Sequence, residues 1–253
     1  MTSLNNQVIS NDEQKVIDET VHETLSEFCD ELKKIVTLGD ADAAEITDTR
    51  ILEGSCFYYA ALGSYVCTKF YRQEYNDTKS CYLMQAGYFA LRPYKDKTQE
   101  SRWFRYSGEI YNNQNDYHCW IVGPLETKDN TNVEIIDFTA RHYKNQVDKK
   151  PDLTWEREDL ENMNFIWSDS YVSDSFQDGL NSIFQEGSLF WEYGLIFRPI
   201  EDTTNFVLNK WKNDYLKDDP RKNDSLPKRM MKKSEEILRC KLAILRNQPQ
   251  SSH

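Results

Sequence analysis

The chain has 253 residues, enough for one large domain or two small ones, and its 13% of aromatic residues points to a core built on Phe, Tyr and Trp. A formal net charge of −11 argues against the broad basic surface that phosphate neutralisation demands, so no nucleic-acid partner is expected. No run approaches the ~18 apolar residues needed to span a bilayer, and the start MTSLNNQVIS lacks the basic and apolar regions of a signal peptide; a cytoplasmic protein without a membrane partner is expected.

Ser10-Asn11-Asp12-Glu13 has the form of a capping box, followed by Val16, Ile17, Val21, Leu25, Phe28, Leu32, Ile35 and Val36 at helical spacing, with Gly39 as a stop. One long amphipathic helix over roughly 12–37 is expected, with a packing role. From Glu53 to Tyr71 the pattern is helical again, with Cys56, Ala60, Gly63, Cys67 and Phe70 on one stripe. After the polar break RQEYNDTKS, the segment CYLMQAGYFALRP reads as a buried strand stopped at Pro93. WFRYSGEIY alternates, YHCWIVG is short and apolar, VEIIDFT is β-branched, and the turn-rich PLETKDNTN lies between the last two. Together these predict an antiparallel sheet.

Beyond Pro151, DSFQDGLNSIFQEG and NFVLNKWKNDYL read as helical and LFWEYGLIFRP as a strand. Residues 218–233, DDPRKNDSLPKRMMKK, read as a mobile linker. A final helix, SEEILRCKLAILR over 234–246, follows with Ile237, Leu238, Leu242 and Leu245 on one side. From Arg221 onward nine Lys/Arg stand against three Asp/Glu, a net +6 that leaves −17 on the rest of the chain. That acidic remainder is the expected dock for the basic helix, with self-association or an anionic partner as the alternative. The organisation is therefore a single domain over 1–217 and a basic linker and C-terminal helix over 218–253.

The six cysteines, at 29, 56, 67, 81, 119 and 240, contain no CxxC pair, and in a reducing compartment most of them are expected to be small buried hydrophobes. Cys56 differs by position. It stands in the first turn of a helix, where unpaired backbone N–H groups and the positive end of the macrodipole favour a thiolate, and Gly54 lets the chain turn sharply into that helix. A thiolate nucleophile needs a general base, and the base an orienting acceptor. If strands 117–123 and 133–139 pair symmetrically about their loop, Val122 faces Val133, Trp120 faces Ile135 and His118 faces Asp137. A one-residue slip would separate that last pair onto different faces. The structural alternatives are a Cys56 that only packs, a satisfied half-buried His118 and an Asp137 bound to a backbone amide.

Gly54-Ser55-Cys56, Gly87-Tyr88, His118-Cys119-Trp120 and Asp137-Phe138-Thr139 occur in that order. In this the sequence resembles the transglutaminase-like superfamily of the papain-like fold: a helix beginning in G-x-C, a G-Y strand, an H-x-W strand and a D-x-T strand. The likeness covers roughly residues 45–145, and it departs at Phe138, where many members carry proline, and at Cys119, where alanine is common. It implies an α+β fold in which a nucleophile-bearing helix packs on an antiparallel sheet, with helices added at both ends. It also implies roles: Cys56 the nucleophile, His118 the general base and acid, Asp137 the residue orienting His118. Gln85 on the neighbouring strand reads as an ordinary strand residue.

Other chemistries fit less well. His118, Cys119, Cys81 and His142 lack zinc-ligand spacing, and adjacent His118 and Cys119 point to opposite faces of a strand, so no metal and no cofactor are expected. Neither Ser55 nor Ser64 sits in G-x-S-x-G, and Glu53 and Glu109 read as surface carboxylates. The expected activity is cysteine acyl transfer on an amide bond of a peptide, protein or small amide, as a peptidase or amidase working through a thioester. The alternatives are an amine-accepting transferase of the transglutaminase or arylamine-acetyltransferase kind, or an inactive transglutaminase-like module used for protein binding.

Overall fold

A computed structural model describes residues 9–36, 55–76, 79–94, 103–111, 114–125, 134–168, 195–217, 221 and 224–247. Gly39, Glu53, Gly54, residues 126–133 and the expected helical stretch at 174–187 lie outside them. Ser10 caps the first helix as expected: its hydroxyl accepts from the Glu13 amide and the Glu13 carboxylate accepts from the Ser10 amide at 2.8 Å. The helix does not run through to residue 37. It divides at Phe28, with backbone φ −97° and ψ 11°, into α1 (Asn11–Glu27) and α2 (Cys29–Val36). The physical reason lies in the preceding turns, where the Thr20, Thr24 and Ser26 hydroxyls each bond back to the carbonyl four residues earlier, a habit that bends helices.

The next helix, α3 (Cys56–Tyr75), is apolar nearly all round its first two turns, and Phe57 to Gly63 are all buried. That burial follows from its place between the sheet on one side and α1 and the C-terminal helix on the other. Gly63 permits the close approach, since a Cβ there would stand 2.6 Å from both Ile121 Cδ1 and Phe138 Cε2.

The antiparallel sheet is organised on β1 (Cys81–Leu91). β1 pairs with β5 (His118–Leu125), with the short β2 (Phe104–Tyr106) and with β8 (Leu195–Pro199). β5 continues to β6 (Glu134–Asp137) and β6 to β7 (Ile166–Ser168). The alternating WFRYSGEIY is not one strand. Gly108, at φ 81°, turns the chain, so that residues 109–111 form β3 (Glu109–Tyr111) and pair with β4 (Gln114–Asp116) in a separate hairpin.

Strand alternation sorts two cores. Tyr82, Met84, Ala86, Cys119, Ile121, Ile136 and Phe138 face α1, α3 and the C-terminal helix. Phe89, Leu91, Trp120, Val122, Ile135 and Phe197 pack on the other side with Tyr143, Val147 and Leu160, which come from α4 (Tyr143–Asp148) and α5 (Glu158–Glu161). The fold is thus mixed helix and antiparallel sheet.

After β8, α6 (Glu201–Leu216) leads to α7 (Leu226–Asn247). The linker expected over 218–233 is shorter than its sequence implied, because α7 takes up residues 226–233. Pro227 sits in the first turn, where a missing amide costs nothing, and Ser225 bonds the Lys228 amide. α7 docks on its own chain: Met230, Leu238 and Leu242 are buried, and Arg229–Glu31, Lys233–Glu27 and Lys241–Glu19 ion pairs tie it to the acidic faces of α1 and α2. No helix among the described residues is long and apolar enough to cross a membrane.

Candidate functional site

β5 begins at His118, and at that end of the strand the first turn of α3 comes to meet it. The Cys56 Sγ lies 3.9 Å from the Tyr117 carbonyl oxygen, just ahead of the strand. On the other flank, Gly87 pairs with His118 in the β1–β5 ladder. A side chain at Gly87 would collide with the Arg198 carbonyl and come within 2.7 Å of the Ile200 amide, which donates to the Ala86 carbonyl at 3.0 Å. Glycine there lets the chain leaving β8 cross β1 beside the histidine.

His118 is 1% exposed and its ring is packed among others: Phe89 at 4.4 Å between centroids, Tyr106 stacked at 5.8 Å and Trp120 stacked at 6.4 Å. Its Nε2 donates to Asp137 Oδ2 at 2.6 Å. Asp137 is fixed in turn by three further donors. The Tyr143 hydroxyl donates to Oδ2 at 2.5 Å, and the Thr139 amide and hydroxyl donate to Oδ1 at 2.8 and 2.6 Å. The remaining imidazole nitrogen, Nδ1, is the one left to face Cys56, whose thiol and the His118 ring shift each other's ionisation. His118 thus stands between the Cys56 side chain, which it acts on, and the Asp137 carboxylate, to which it is hydrogen-bonded.

The register that delivers this differs from the symmetric one. Ile121 pairs with Ile136 and Val122 with Ile135, a two-residue shift from Trp120 opposite Ile135. Asp137 consequently falls diagonal to His118 instead of directly across, still on the same face and within reach of a ring.

The electrostatics are those of a buried ion pair. Burial disfavours the His118 cation, but the Asp137 charge and hydrogen bond, with the contact to Cys56, outweigh it and push the pKa up to about 10. Burial likewise opposes the Asp137 anion, and His118, Thr139 and Tyr143 together hold it below the usual carboxylate range. The Cys56 thiol is held well below its ordinary value. A hydrogen bond from the Cys119 side chain acts most strongly, burial opposes it, and the His118 hydrogen bond and charge and the Cys119 amide add to the lowering. All three shifts run towards the charged forms, thiolate, imidazolium and carboxylate.

Two participants were not legible as such. Tyr143 follows Asp137 by six residues with no motif to mark it, and only the one-turn helical segment Ala140–His142 swings it back over the carboxylate. Strand alternation points Cys119 away from His118. The alternation holds, yet Cys56 sits past the end of the strand, where both neighbours reach it. Gln85 is an ordinary strand residue in pairing, opposite Trp120, although its buried Oε1 has no hydrogen-bond donor. Among the described residues no group of three or more His, Cys, Asp or Glu side chains is arranged to hold a metal ion. Compared with protein-family models, curated proteins and solved structures, the chain matches none.

Proposed function

We propose that the protein is a cysteine hydrolase of amide bonds, with Cys56 as nucleophile, His118 as general acid and base and Asp137 as the residue orienting His118. The observation that carries this reading is His118 set between Cys56 and Asp137 and hydrogen-bonded to the carboxylate at 2.6 Å, with Cys56, half-buried, at a helix start and a deeply buried acceptor behind the ring. The order of the Gly-x-Cys, Gly-Tyr, His-x-Trp and Asp-x-Thr segments, and a cysteine-bearing helix packed on an antiparallel sheet, support a transglutaminase-like core of the papain-like fold.

In this reading the Cys56 thiolate attacks the amide carbonyl carbon. Backbone N–H groups of the first turn of α3, which have no partner within the helix, receive the negative charge that develops on oxygen. Imidazolium His118 gives its proton to the leaving amine, and the thioester remains on Cys56. Neutral His118 then takes a proton from water, which attacks the thioester and releases the acid. Asp137 keeps the Nε2 proton in place throughout, so the same nitrogen, Nδ1, faces the reacting atoms in both halves.

The test is acyl-enzyme capture. The full chain is incubated with a library of peptide amides, quenched in acid and digested, and the Cys56 peptide is searched for acyl adducts that hydroxylamine removes. Adducts absent from Cys56→Ala and accumulating in His118→Ala are the expected result. A Cys56 that carries no adduct and alkylates with iodoacetamide no faster than buried Cys67 would refute it and leave a protein-binding module.

A further inference from the structure

Cys119 has a role to account for. It is 1% exposed, on the sheet face that packs against α3, in the core against which Cys56 itself packs, and its side chain and amide act on the Cys56 thiol. The Cys56 Sγ is also 3.9 Å from the carbonyl oxygen of Tyr117, two residues before Cys119, so the sulfur lies against the chain that carries this second thiol. Cys56 is half-buried and lies beside the His118 ring; Cys119 is buried. That is the arrangement of an attacking and a resolving cysteine. The remaining four cysteines do not offer it: Cys29 and Cys67 are buried, Cys81 is on β1 and Cys240 is exposed on α7.

We propose that Cys56 and Cys119 form an oxidisable dithiol which hydrogen peroxide closes to an intramolecular disulfide. The Cys56 thiolate attacks the peroxide oxygen, the O–O bond breaks, and the departing hydroxide takes a proton from His118 and leaves as water. Cys56 is then a sulfenic acid. The Cys119 sulfur attacks the Cys56 sulfur, an S–S bond forms, and the S–O bond breaks with the hydroxyl leaving as a second water that carries the Cys119 proton. Two thiols lose two electrons and one peroxide is reduced to two waters. The disulfide removes the nucleophile reversibly and spares it the irreversible sulfinic and sulfonic steps. The Cys56 thiol is held below its ordinary value, by Cys119 first, so that its ionisation is favoured and with it the initial attack. The inference rests on the reading of Cys56 as an ionised nucleophile but requires no amide substrate.

The experiment treats the reduced full-length protein with a small molar excess of hydrogen peroxide, denatures it in N-ethylmaleimide and records intact mass and a peptide map. The expected product has lost two hydrogens, carries two fewer alkylatable thiols than the six of the reduced chain, yields a Cys56–Cys119 cross-linked peptide, and returns to the reduced form in dithiothreitol. In Cys119→Ser, dimedone should trap Cys56 as sulfenic acid, and longer exposure should carry it to sulfinic acid. Wild-type protein in which Cys56 advances to sulfinic acid while Cys119 stays alkylatable would overturn the proposal, as would a disulfide joining any other pair. The wild-type measurement stands alone if Cys119→Ser does not fold. A disulfide in a protein that forms no acyl adduct leaves this proposal and removes the hydrolase reading; adducts without a disulfide do the reverse.

Discussion

Replacing Asp137 by asparagine changes one atom of the site and isolates the charge from the shape. The carboxylate now accepts on Oδ2 from His118 and Tyr143 and on Oδ1 from the Thr139 amide and hydroxyl. Asparagine offers one acceptor oxygen and one NH2 group, so one side must turn a donor towards donors. If the NH2 faces His118, the imidazole accepts at Nε2 and carries its proton on Nδ1, towards the sulfur. If it faces Thr139, the imidazolium keeps a neutral acceptor but loses its counter-charge. Either way the drop is large. His118 is pushed from the ordinary 6.5 up to about 10 against burial, and without Asp137 only the contact to Cys56 is left to oppose burial. That span corresponds to ~5 kcal/mol at ~1.4 kcal/mol per pH unit, and even half of it is roughly a 10²-fold loss of the imidazolium state. The assay is iodoacetamide alkylation of the Cys56 peptide from pH 5 to 10, followed by mass spectrometry. Wild-type rates should vary little up to neutral pH and beyond, whereas Asp137→Asn rates should climb steeply with pH. Profile shape is the criterion, since a less acidic thiol is intrinsically more nucleophilic once ionised. Superimposable profiles would refute the chain of charge from Asp137 to Cys56.

Three further outcomes are expected. Leu238→Ala should cost about 2–5 kcal/mol, and so lower Tm by roughly 4–20 °C, because Leu238 is 3% exposed beneath α7, whereas Ile244→Ala, at a 62% exposed position, should change it little; thermal melts check both, with Cys56 alkylation unaffected in either. Gly87→Ala should destabilise by about 1–3 kcal/mol, read from the denaturant midpoint, because its Cβ meets backbone atoms of Arg198 and Ile200 that no rotamer change can move. Cys56→Ser removes the thiolate and leaves His118 with Asp137. A raised histidine pKa contributes stability that is complete below about 6.5 and lost as pH rises towards about 10. In the wild type the depressed Cys56 acts in the opposite sense, contributing most above the ordinary thiol value of 9.0. Tm of Cys56→Ser should therefore fall more steeply between pH 6.5 and 10 than that of the wild type.

How far the fold could be read depended on whether a local rule had a tertiary competitor. The capping box at Ser10 and Glu13 is settled within four residues, and it is present. The helix behind it was read as continuous because apolar spacing passes straight through Phe28, whereas the division comes from hydroxyl groups that hydropathy patterns ignore. Gly108 ended a strand inside an unbroken alternation, since its positive φ overrides the pattern around it. Pro227 stands in a stretch that reads as linker, yet proline is at home in the first turn of a helix, and buried Met230 and Leu238 decide for the helix. β4 and β7 carry three residues each, too few for any period to declare itself.

The site survived an error in pairing for a specific reason. Symmetry about the loop put His118 directly across from Asp137, and the strands instead pair two residues away. Side chains alternate with a period of two, so an even displacement leaves every residue on its face and only moves the partner from opposite to diagonal. An odd displacement would have turned Asp137 towards α3 and left the His118 ring with no acceptor. What sequence constrains here is parity, not pairing. Ile135 must face the Phe89 and Trp120 core and Ile136 the α3 core, so Asp137 is bound to the Ile135 face whatever its exact partner. The same parity sends Cys119 to the opposite face from His118, which is why one strand can present its imidazole and its thiol to Cys56 from two sides. A sulfur at the Tyr117 carbonyl, beyond the end of β5, is open to both, whereas a sulfur over one face of the strand would have met only one.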